Sequence, residues 1–386
     1  MEKIKTGIIG TGFIGPAHIE AIRRLGFVDI AALADIDAAT AKAKAEALSI
    51  PKSYGDYKQL LADPEVEVVH ICSPNSFHYT MAKEALNLGK HVLCEKPLTM
   101  NSREAAELVA LAKEKRRANA IHFNIRFYPV ITQAREMIAS GELGEIFAVN
   151  GSYQQDWLFK ETDYSWRLEP KYSGDSRAVA DIGSHWLDAV EYMTGKRVKR
   201  VCADFATFYK TRKKPLKPVE TYSGKILTPE DYEDVPINTE DYASVLLHFC
   251  NGAHGSLTVN QVAAGRKNRI WFEIYGSKKA IAIDTESPNE MWIGNRDSAN
   301  QVLLKDASLM YPKAGEIITY PSGHNEGFPD TIKQFAKKFY TYIREKGYEN
   351  GATPDFPTFE AGKRELELCE HIVESAKGSK WVDIES

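Results

Sequence analysis

Hydrophobic and polar residues follow two rhythms along the chain, and the change comes near residue 123. Before that point, short apolar runs alternate with stretches in which apolar residues recur at helical spacing. Such runs are typical of strands buried on both faces, and the stretches between them predict helices that cover a parallel sheet. The predicted strands are Lys5–Ile9, Ile30–Ala34, Val66–Cys72, His91–Cys94 and Ala118–Phe123. The predicted helices are Ala17–Leu25, Ala38–Leu48, Tyr57–Leu61, His78–Leu88 and Ser102–Lys115.

Beyond residue 123 the predicted strands are longer and alternate between apolar and polar residues, which favours a largely antiparallel sheet. Asn251-Gly252 between two such strands predicts a hairpin whose central residues both adopt positive φ. Residues 210–240, rich in proline and charge, are predicted as a loop or peripheral insertion. The remaining predicted strands are Ile146–Tyr153, Ala243–Cys250, His254–Val262, Arg269–Tyr275 and Lys279–Asp284. The remaining predicted helices are Val130–Ser140, His185–Met193, Thr331–Glu345 and Thr358–Ala376.

Composition and charge exclude several classes of protein. The net charge is −4, and no apolar run approaches the roughly 20 residues of a membrane helix. We therefore expect neither a nucleic-acid nor a membrane partner. Five cysteines without a CxxC pair argue against disulfides and structural zinc and favour the cytoplasm, and the scattered histidines predict no metal site. One basic cluster is interpreted as a solvated loop: Lys210, Arg212, Lys213, Lys214 and Lys217.

A glycine-rich turn lies between the first predicted strand and the first predicted helix. It reads GxGxxG, and this context is typical of a dinucleotide-binding loop, because the glycines let the backbone approach a pyrophosphate at a helix N-terminus. Asp35 follows the second strand, where a carboxylate would bind the ribose hydroxyls and repel a 2′-phosphate. The sequence therefore predicts a Rossmann domain over residues 1–123 that binds NAD in preference to NADP. The predicted loop contacts are Gly10, Gly12, Phe13, Ile14 and Gly15.

Polar residues follow two further strands of this domain and open a later helix. Open parallel sheets bind ligands at the carboxyl ends of their strands. Pro97 after Lys96 restricts the backbone and permits a cis bond. Asp181 and His185 lie four residues apart, so they share a helix face if the helix has begun by Asp181. The residues that follow the two strands are Ser73, Asn75, His78, Glu95 and Lys96.

Four motifs, taken in their order along the chain, resemble those of the glucose–fructose oxidoreductase, inositol dehydrogenase and rhizopine-catabolism (Gfo/Idh/MocA) family. They are the GxGxxG turn, Ser-Pro-Asn-xx-His, Glu-Lys-Pro and Asp-xxx-His. The resemblance spans the chain and implies a second domain over residues 124–386, of α+β type, whose large open sheet supports dimers or tetramers. It implies Lys96, Asp181 and His185 as the catalytic set. It also implies cofactor contacts from Ser73, Asn75, His78, Glu95 and Lys96. One departure is Ser173-Gly174-Asp175-Ser176-Arg177, where the family has a glycine-rich lead-in to the Asp motif.

Alcohol oxidation sets the roles of these residues, because a proton must leave oxygen as a hydride leaves carbon. His185, oriented by Asp181, suits the base because histidine titrates near neutrality, and Lys96 would hold the hydroxyl. The alternative makes Lys96 the base and His185 its orienting partner. The sequence leaves both open.

Aromatic and polar residues near the start of the second domain indicate the substrate. Aromatic faces stack on sugar rings, while amides and charged groups bind hydroxyls. The segment around Trp157, with Tyr128, resembles family members that act on pyranoses, of the levoglucosan dehydrogenase and sugar C3-dehydrogenase kind. The candidate pocket residues after the last parallel strand are Asn124, Arg126 and Tyr128, with Asn124 also a cofactor contact.

The predicted activity is reversible, NAD-dependent oxidation of a secondary ring hydroxyl, at C3 by the resemblance, on a sugar, anhydrosugar or glycoside. Two alternatives stay open. One is an inositol dehydrogenase or a reductase that works toward the alcohol. The other is a non-catalytic regulator that senses NAD, although such a protein has no need of a proton-transfer set.

Overall fold

The computed structural model describes residues 3–216 and 231–384. They form two compact units. Unit 1 is the chain up to Phe127 together with Phe328–Leu366, and unit 2 is Tyr128–Gly327 together with the chain from Glu367 onward. The sequence predicts one boundary, after residue 123, and does not include the return to unit 1. Among the residues described, no helix combines the length and the apolar character needed to cross a membrane.

Unit 1 contains a parallel sheet of six strands in the order β3-β2-β1-β4-β5-β6. This is the predicted Rossmann arrangement, with β3 as a short additional strand. The strands are β1 (Ile4–Ile9), β2 (Val28–Ala34), β3 (Lys52–Tyr54), β4 (Val68–Ile71), β5 (His91–Cys94) and β6 (Asn119–Ile121). The helices between them are α1 (Ile14–Arg23), α2 (Ala38–Ala47), α3 (Tyr57–Ala62), α4 (Asn75–Asn87) and α5 (Ser102–Glu114).

Unit 2 is built on a mixed sheet of nine strands in which only β7 and β12 pair in parallel. The predicted, mostly antiparallel second sheet is therefore confirmed. Its order is β16-β15-β14-β13-β7-β12-β11-β8-β17. The helices of this part are α6 (Pro129–Ala139), α7 (Pro170–Ser173), α8 (Ser184–Thr194) and α9 (Pro312–Gly315). The strands are β7 (Ile146–Gln154), β8 (Val198–Ala206), β9 (Thr211–Pro215), β10 (Tyr232–Pro236), β11 (Tyr242–Phe249), β12 (His254–Asn260), β13 (Arg269–Gly276), β14 (Lys279–Asp284), β15 (Glu290–Asn295), β16 (Gln301–Leu304) and β17 (Val382–Asp383).

The C-terminal helices are α10 (Phe328–Arg344), α11 (Gly347–Asn350) and α12 (Phe359–Gly378). Helix α10 completes the core of unit 1, because Phe335, Phe339 and Tyr340 are buried among apolar residues of β1, β2 and α1. The opposite face of the same sheet is covered by α4 and α5, with Phe359 of α12 in that cluster. Both faces of the parallel sheet are thus buried, as its near-continuous apolar strands predict.

The predicted hairpin between β11 and β12 forms, but its turn differs from the prediction. Gly252 has φ of +87°, whereas Asn251 is not among the residues with positive φ. The amide of Asn251 instead accepts a hydrogen bond from the backbone N–H of Ala253 at 3.3 Å. A longer loop with one glycine in the left-handed region replaces the two-residue turn.

Residues 210–240 were predicted as a loop or peripheral insertion, and where the structure describes them the loop is wrong, because they include a small sheet separate from the nine-stranded one. Strands β9 and β10 form a two-stranded antiparallel sheet. Arg212, interpreted as part of a solvated basic cluster, is fully buried. Its guanidinium has a carboxylate partner in Asp241 at 2.9 Å, which makes burial of its charge possible. Lys217, from the same cluster, lies outside the described residues.

Candidate active site

The glycine-rich turn has the geometry that a pyrophosphate needs. Gly10 has φ of +89°, and a Cβ there would lie 2.8 Å from the carbonyl oxygen of Cys72. A Cβ on Gly15 would lie 2.3 Å from the carbonyl oxygen of Gly10, so only glycine lets α1 start so close to β1. A Cβ on Gly12 would meet nothing within 4 Å, which leaves the backbone approachable from outside. These are the three separate roles of the glycines in a dinucleotide loop.

The other residues of the turn present the start of α1. Phe13 is 59% exposed, and Ile14 begins the helix. No side chain caps the first turn of α1 at Phe13, so its backbone N–H groups are suited to a phosphate.

Asp35 lies beside this turn, as predicted. Its carboxylate accepts a hydrogen bond from the backbone N–H of Thr11 at 3.0 Å and another from the N–H of Ile36 at 2.7 Å. The Thr11 hydroxyl donates to the same carboxylate. The charge is therefore fixed at the end of β2, next to the glycine-rich turn.

The ends of β4 and β5 are joined through His78. One ring nitrogen of His78 lies 2.8 Å from the carbonyl oxygen of Ser73, and the other lies 2.8 Å from that of Pro97. Its ring is fully buried, and burial lowers its pKa. The structure thus places His78 as a brace between the two loops. Asn75, at the start of α4, is also buried, and the peptide bond between Lys96 and Pro97 is cis.

Glu95 and Lys96 lie at the end of β5, and Lys96 is half-buried. Both oxygens of Glu95 are in use. One lies 2.9 Å from His18 Nε2 and 2.5 Å from His122 Nδ1, and the other accepts from the backbone N–H of Lys96 at 3.2 Å. Burial alone would raise the pKa of the Glu95 carboxyl, but the charge of His122 and the hydrogen bonds of both histidines hold it well below its usual value.

This histidine cluster was not predicted from the sequence. His18 lies on the buried face of α1, beside Ile19 and Ile22. A polar residue among these apolar ones is the signal in the sequence that could have revealed the cluster. The residues sit far apart in the chain, so the statement that the histidines are scattered holds for the sequence and not for the fold. His18, Glu95 and His122 are the described group whose metal-ligating atoms all lie within 4.8 Å of one another.

Asn124 and Arg126 form a short 3₁₀ turn directly after β6. The amide of Asn124 donates to the hydroxyl of Thr331 at 2.7 Å, within unit 1, so this side chain ties the turn to α10. Arg126 is half-buried on the same turn.

In unit 2, Asp181 lies in a π-helical turn, Val179–Gly183, that leads into α8. Such turns occur often at functional sites. The carboxylate is held on both oxygens: Arg167 Nε lies 3.2 Å from Oδ1, and Gln261 Nε2 lies 3.1 Å from Oδ2. His185 lies in the first turn of α8, with its ring 6.2 Å from that of Tyr153. Burial, with the nearby charge of Asp181, raises the pKa of Tyr153.

A buried network of charges supports Asp181 from behind. Arg177 donates to Gln261 Oε1 at 3.1 Å and to Asp241 at 2.5 Å, and Arg212 donates to the same oxygen of Asp241 at 2.9 Å. Arg177 stands in the segment that departs from the family's glycine-rich lead-in. At this departure a buried cation, Arg177, therefore holds the Gln261 side chain that binds Asp181.

The candidate sugar-binding aromatics also belong to unit 2. Tyr128 is buried at the start of α6, and Trp157 is half-buried. Arg212 fixes the loop after Trp157 by donating to the carbonyl oxygens of Leu158 and Lys160, each at 2.9 Å. The loop is thus held by Arg212 of β9, a residue of the basic cluster that was interpreted as solvated.

Comparison with known proteins places the chain among oxidoreductases. A family profile described as "Oxidoreductase family, NAD-binding Rossmann fold" matches residues 4–123, and one described as "GFO/IDH/MocA C-terminal domain" matches residues 131–282. Levoglucosan dehydrogenase of Pseudarthrobacter phenanthrenivorans is 28% identical over 402 residues, covering 100% of this chain and 99% of that protein.

Two solved structures are similar over nearly the whole chain. Levoglucosan dehydrogenase in complex with NADH and levoglucosan has a TM-score of 0.88 at 26% identity and covers 100% of both chains. An inositol dehydrogenase homolog from Azotobacter vinelandii, in complex with NADH and myo-inositol, has a TM-score of 0.86 at 26% identity, covering 99% of this chain and 98% of that one.

Proposed function

The chain belongs to the GFO/IDH/MocA family of oxidoreductases, and from that premise we propose that it oxidises a secondary ring hydroxyl of a sugar, anhydrosugar or glycoside, reversibly, with NAD as the hydride acceptor. The observation that carries the proposal is the glycine-rich turn, open at Gly12, with the Asp35 carboxylate fixed beside it. We propose C3 as the carbon oxidised, on the resemblance to sugar C3-dehydrogenases.

The preference for NAD follows from charge. Gly10, Gly12 and Gly15 would hold the pyrophosphate on the backbone N–H groups of α1. The Asp35 carboxylate would accept hydrogen bonds from the adenosine ribose and repel a 2′-phosphate. Ile36, the next residue, is 85% exposed and offers no positive charge for such a phosphate.

The proton is handled by the chain's own residues. When bound, the dinucleotide supplies the carbon that accepts the hydride. Lys96 would donate a hydrogen bond to the substrate oxygen and stabilise the developing alkoxide. His185 would take the hydroxyl proton, with Asp181 as its positioning group, and the reversed assignment makes Lys96 the base. The two contacts that hold Asp181 fix the position of its carboxylate in either version.

Trp157 and Tyr128 support a ring substrate, because aromatic faces stack on the CH surfaces of pyranoses. A cyclitol is the second candidate, favoured by the similarity to the inositol dehydrogenase homolog. We also expect a homodimer or homotetramer, as the family resemblance implies, and a cytoplasmic location, which the cysteine pattern favours.

The test is a turnover assay with purified protein. NAD or NADP is mixed with pyranoses, levoglucosan and inositols, and formation of the reduced nicotinamide is followed. Turnover with NAD and a pyranose or levoglucosan supports the proposal, whereas turnover confined to inositols supports the second candidate. NADH binding without turnover in either direction on any ring substrate would contradict the enzyme and favour a regulator that senses NAD.

A further inference from the structure

A chain of buried polar side chains runs through the core of unit 1 and ends at Glu95. His18 Nδ1 lies 2.8 Å from His70 Nδ1, His70 Nε2 lies 2.8 Å from the Tyr340 hydroxyl, and that hydroxyl lies 2.7 Å from the Thr6 hydroxyl. All four side chains are at most 1% exposed. Buried polar groups are normally hydrogen-bonded, because burying an unpaired one costs free energy.

The proton count along this chain has one consistent solution. Burial lowers the pKa of both His18 and His70, so both rings are neutral and each has one N–H. An ionised Glu95 only accepts, so His18 Nε2 donates to it. His18 Nδ1 then accepts from His70 Nδ1, and His70 Nε2 accepts from the Tyr340 hydroxyl. Thr6 donates to Tyr340, and every group from Thr6 to Glu95 is satisfied.

His122 supplies the second donor to Glu95 from the other side. Its Nδ1 is 2.5 Å from the carboxylate oxygen, while its Nε2 is buried and has no hydrogen-bond partner. Around a tetrahedral zinc, two ligand atoms would be about 3.3 Å apart. The contacts of His18 and His122 to Glu95 are 2.9 and 2.5 Å, which is the spacing of hydrogen bonds.

The cluster is connected to the candidate catalytic lysine by the backbone. The oxygen of Glu95 that the histidines leave free of contact accepts from the Lys96 N–H at 3.2 Å. The other titratable groups that face Glu95 come from β4, from β5 and from the loops and helix that follow them: Cys72, Cys94, His78 and Lys96.

We propose that His18 and His122 are positioning residues that keep Glu95 ionised in the interior, so that its second oxygen fixes the backbone of Lys96 at the cofactor edge of unit 1. This inference rests on the proposed function, because it gives Lys96 a part in the reaction. Neither histidine touches the substrate or the cofactor in this account. They act through Glu95.

The test compares two substitutions at one position. His122→Asn keeps an N–H donor for Glu95 without the charge of the imidazole, whereas His122→Leu removes both and leaves a buried carboxylate short of one bond. A hydrogen bond to a charged group is worth about 1.5–3 kcal/mol, so we expect kcat of the Leu variant to lie about 10- to 100-fold below that of the Asn variant. The Kd for NADH should change less than threefold in both.

The pH dependence separates positioning from mere packing. In the Leu variant the pKa of Glu95 rises, so the carboxylate is lost at a higher pH than in the Asn variant. The kcat ratio of Leu to Asn should therefore fall further between pH 8 and pH 5.5. His91→Asn, at the opposite end of β5 and also buried, is the control and should keep the wild-type kcat. Equal losses in the Asn and Leu variants, or a ratio that does not change with pH, would overturn the proposal.

A second readout needs neither cofactor nor substrate. A buried acid with a raised pKa destabilises the fold as pH rises, so the melting temperature of the Leu variant should approach that of the Asn variant on acidification. The two readouts thus move in opposite directions with pH. If wild-type protein turns over no substrate, the proposed function fails, and the melting curves still decide the state of Glu95. A difference in melting temperature that is the same at every pH would contradict the ionised carboxylate.

Discussion

Glu95 in unit 1 and Asp181 in unit 2 are both carboxylates with two occupied oxygens, but their partners differ in kind. Glu95 is held by two imidazoles and a backbone N–H. Asp181 is held by a guanidinium and an amide, with a second guanidinium behind the amide. Imidazole can be neutral or charged, whereas guanidinium is always charged and an amide is always neutral.

The difference lies in how each carboxylate keeps its charge. In unit 1, the carboxylate of Glu95 beside Lys96 is held by imidazoles, one of which, His18, has its pKa lowered by burial. In unit 2, the charges around Asp181 are permanent, because Arg177 and Arg212 surround Asp241 and hold the pKa of its buried carboxyl below its usual value, although burial alone would raise it. The support of Asp181 should therefore not contribute to the pH dependence of activity.

The largest expected effect comes from Lys96→Ala. This change removes a side chain used in the chemistry and leaves the glycine-rich turn intact, so kcat should fall about 10²- to 10⁴-fold while NAD binding stays within about threefold. Steady-state rates and nicotinamide fluorescence measure the two quantities. Lys90→Met, at the other end of β5, is the control and should keep full activity. An unchanged turnover number for Lys96→Ala would remove Lys96 from the reaction.

Arg177→Leu tests the permanent charges of unit 2. Breaking a buried ion pair on one side costs about 3–5 kcal/mol, because Asp241 is left with an incomplete set of partners. Denaturant unfolding should show this loss equally at pH 6 and pH 8. Lys377→Ala, which breaks an ion pair between side chains 68% and 80% exposed, should cost less than about 1 kcal/mol. A small cost for Arg177→Leu would mean that the network does not hold Asp181 in place.

Acidification tests the histidines of unit 1. Burial lowers the pKa of His91 to about 4, so the folded state keeps it neutral while the unfolded chain takes up a proton below its ordinary value. Stability from this group is present above that value and is lost as pH falls. His91→Asn should reduce the loss of unfolding free energy between pH 7 and pH 5 by about 2 kcal/mol. The same substitution at exposed His324 is the control, and an equal effect there would contradict the assignment to burial.

Asp35→Ala should have the smallest effect, and it concerns specificity. The loss of the ribose contact should weaken NAD binding about tenfold, and NADP should be rejected less strongly. Competition binding of the two cofactors gives the ratio. Asp37→Ala removes the neighbouring carboxylate, the N-cap of α2, and should lower stability without changing the cofactor ratio. An unaltered ratio in Asp35→Ala would place the ribose elsewhere.

The parts of the site that could be predicted are formed by residues that lie close together in the sequence. A strand, a glycine-rich turn and a helix follow one another within the first 23 residues. Asp35 and Glu95 come directly after a strand, and Ser73 comes two residues after the end of β4. The topology of a parallel sheet then places these strand ends along one edge. Local order was therefore enough to find the cofactor edge.

The parts that could not be predicted depend on distant residues. Gln261 reaches Asp181 across 80 positions, and Glu95 lies 77 positions from His18. No periodicity encodes such pairs, since each is fixed by the packing of whole elements. Strands β9 and β10 are short, charged and rich in proline, and they form because Arg212 has a buried partner far along the chain.

The most direct test of the account follows the hydrogen that moves. Levoglucosan and glucose carrying deuterium at C2, C3 or C4 are incubated with the protein and NAD, and the reduced nicotinamide is examined by mass spectrometry. The account predicts that deuterium appears on the nicotinamide from the C3-labelled sugar and slows its turnover. Reduced cofactor without label from any of the three ring carbons, or no reduced cofactor from these sugars at all, would contradict hydride transfer from a secondary ring hydroxyl.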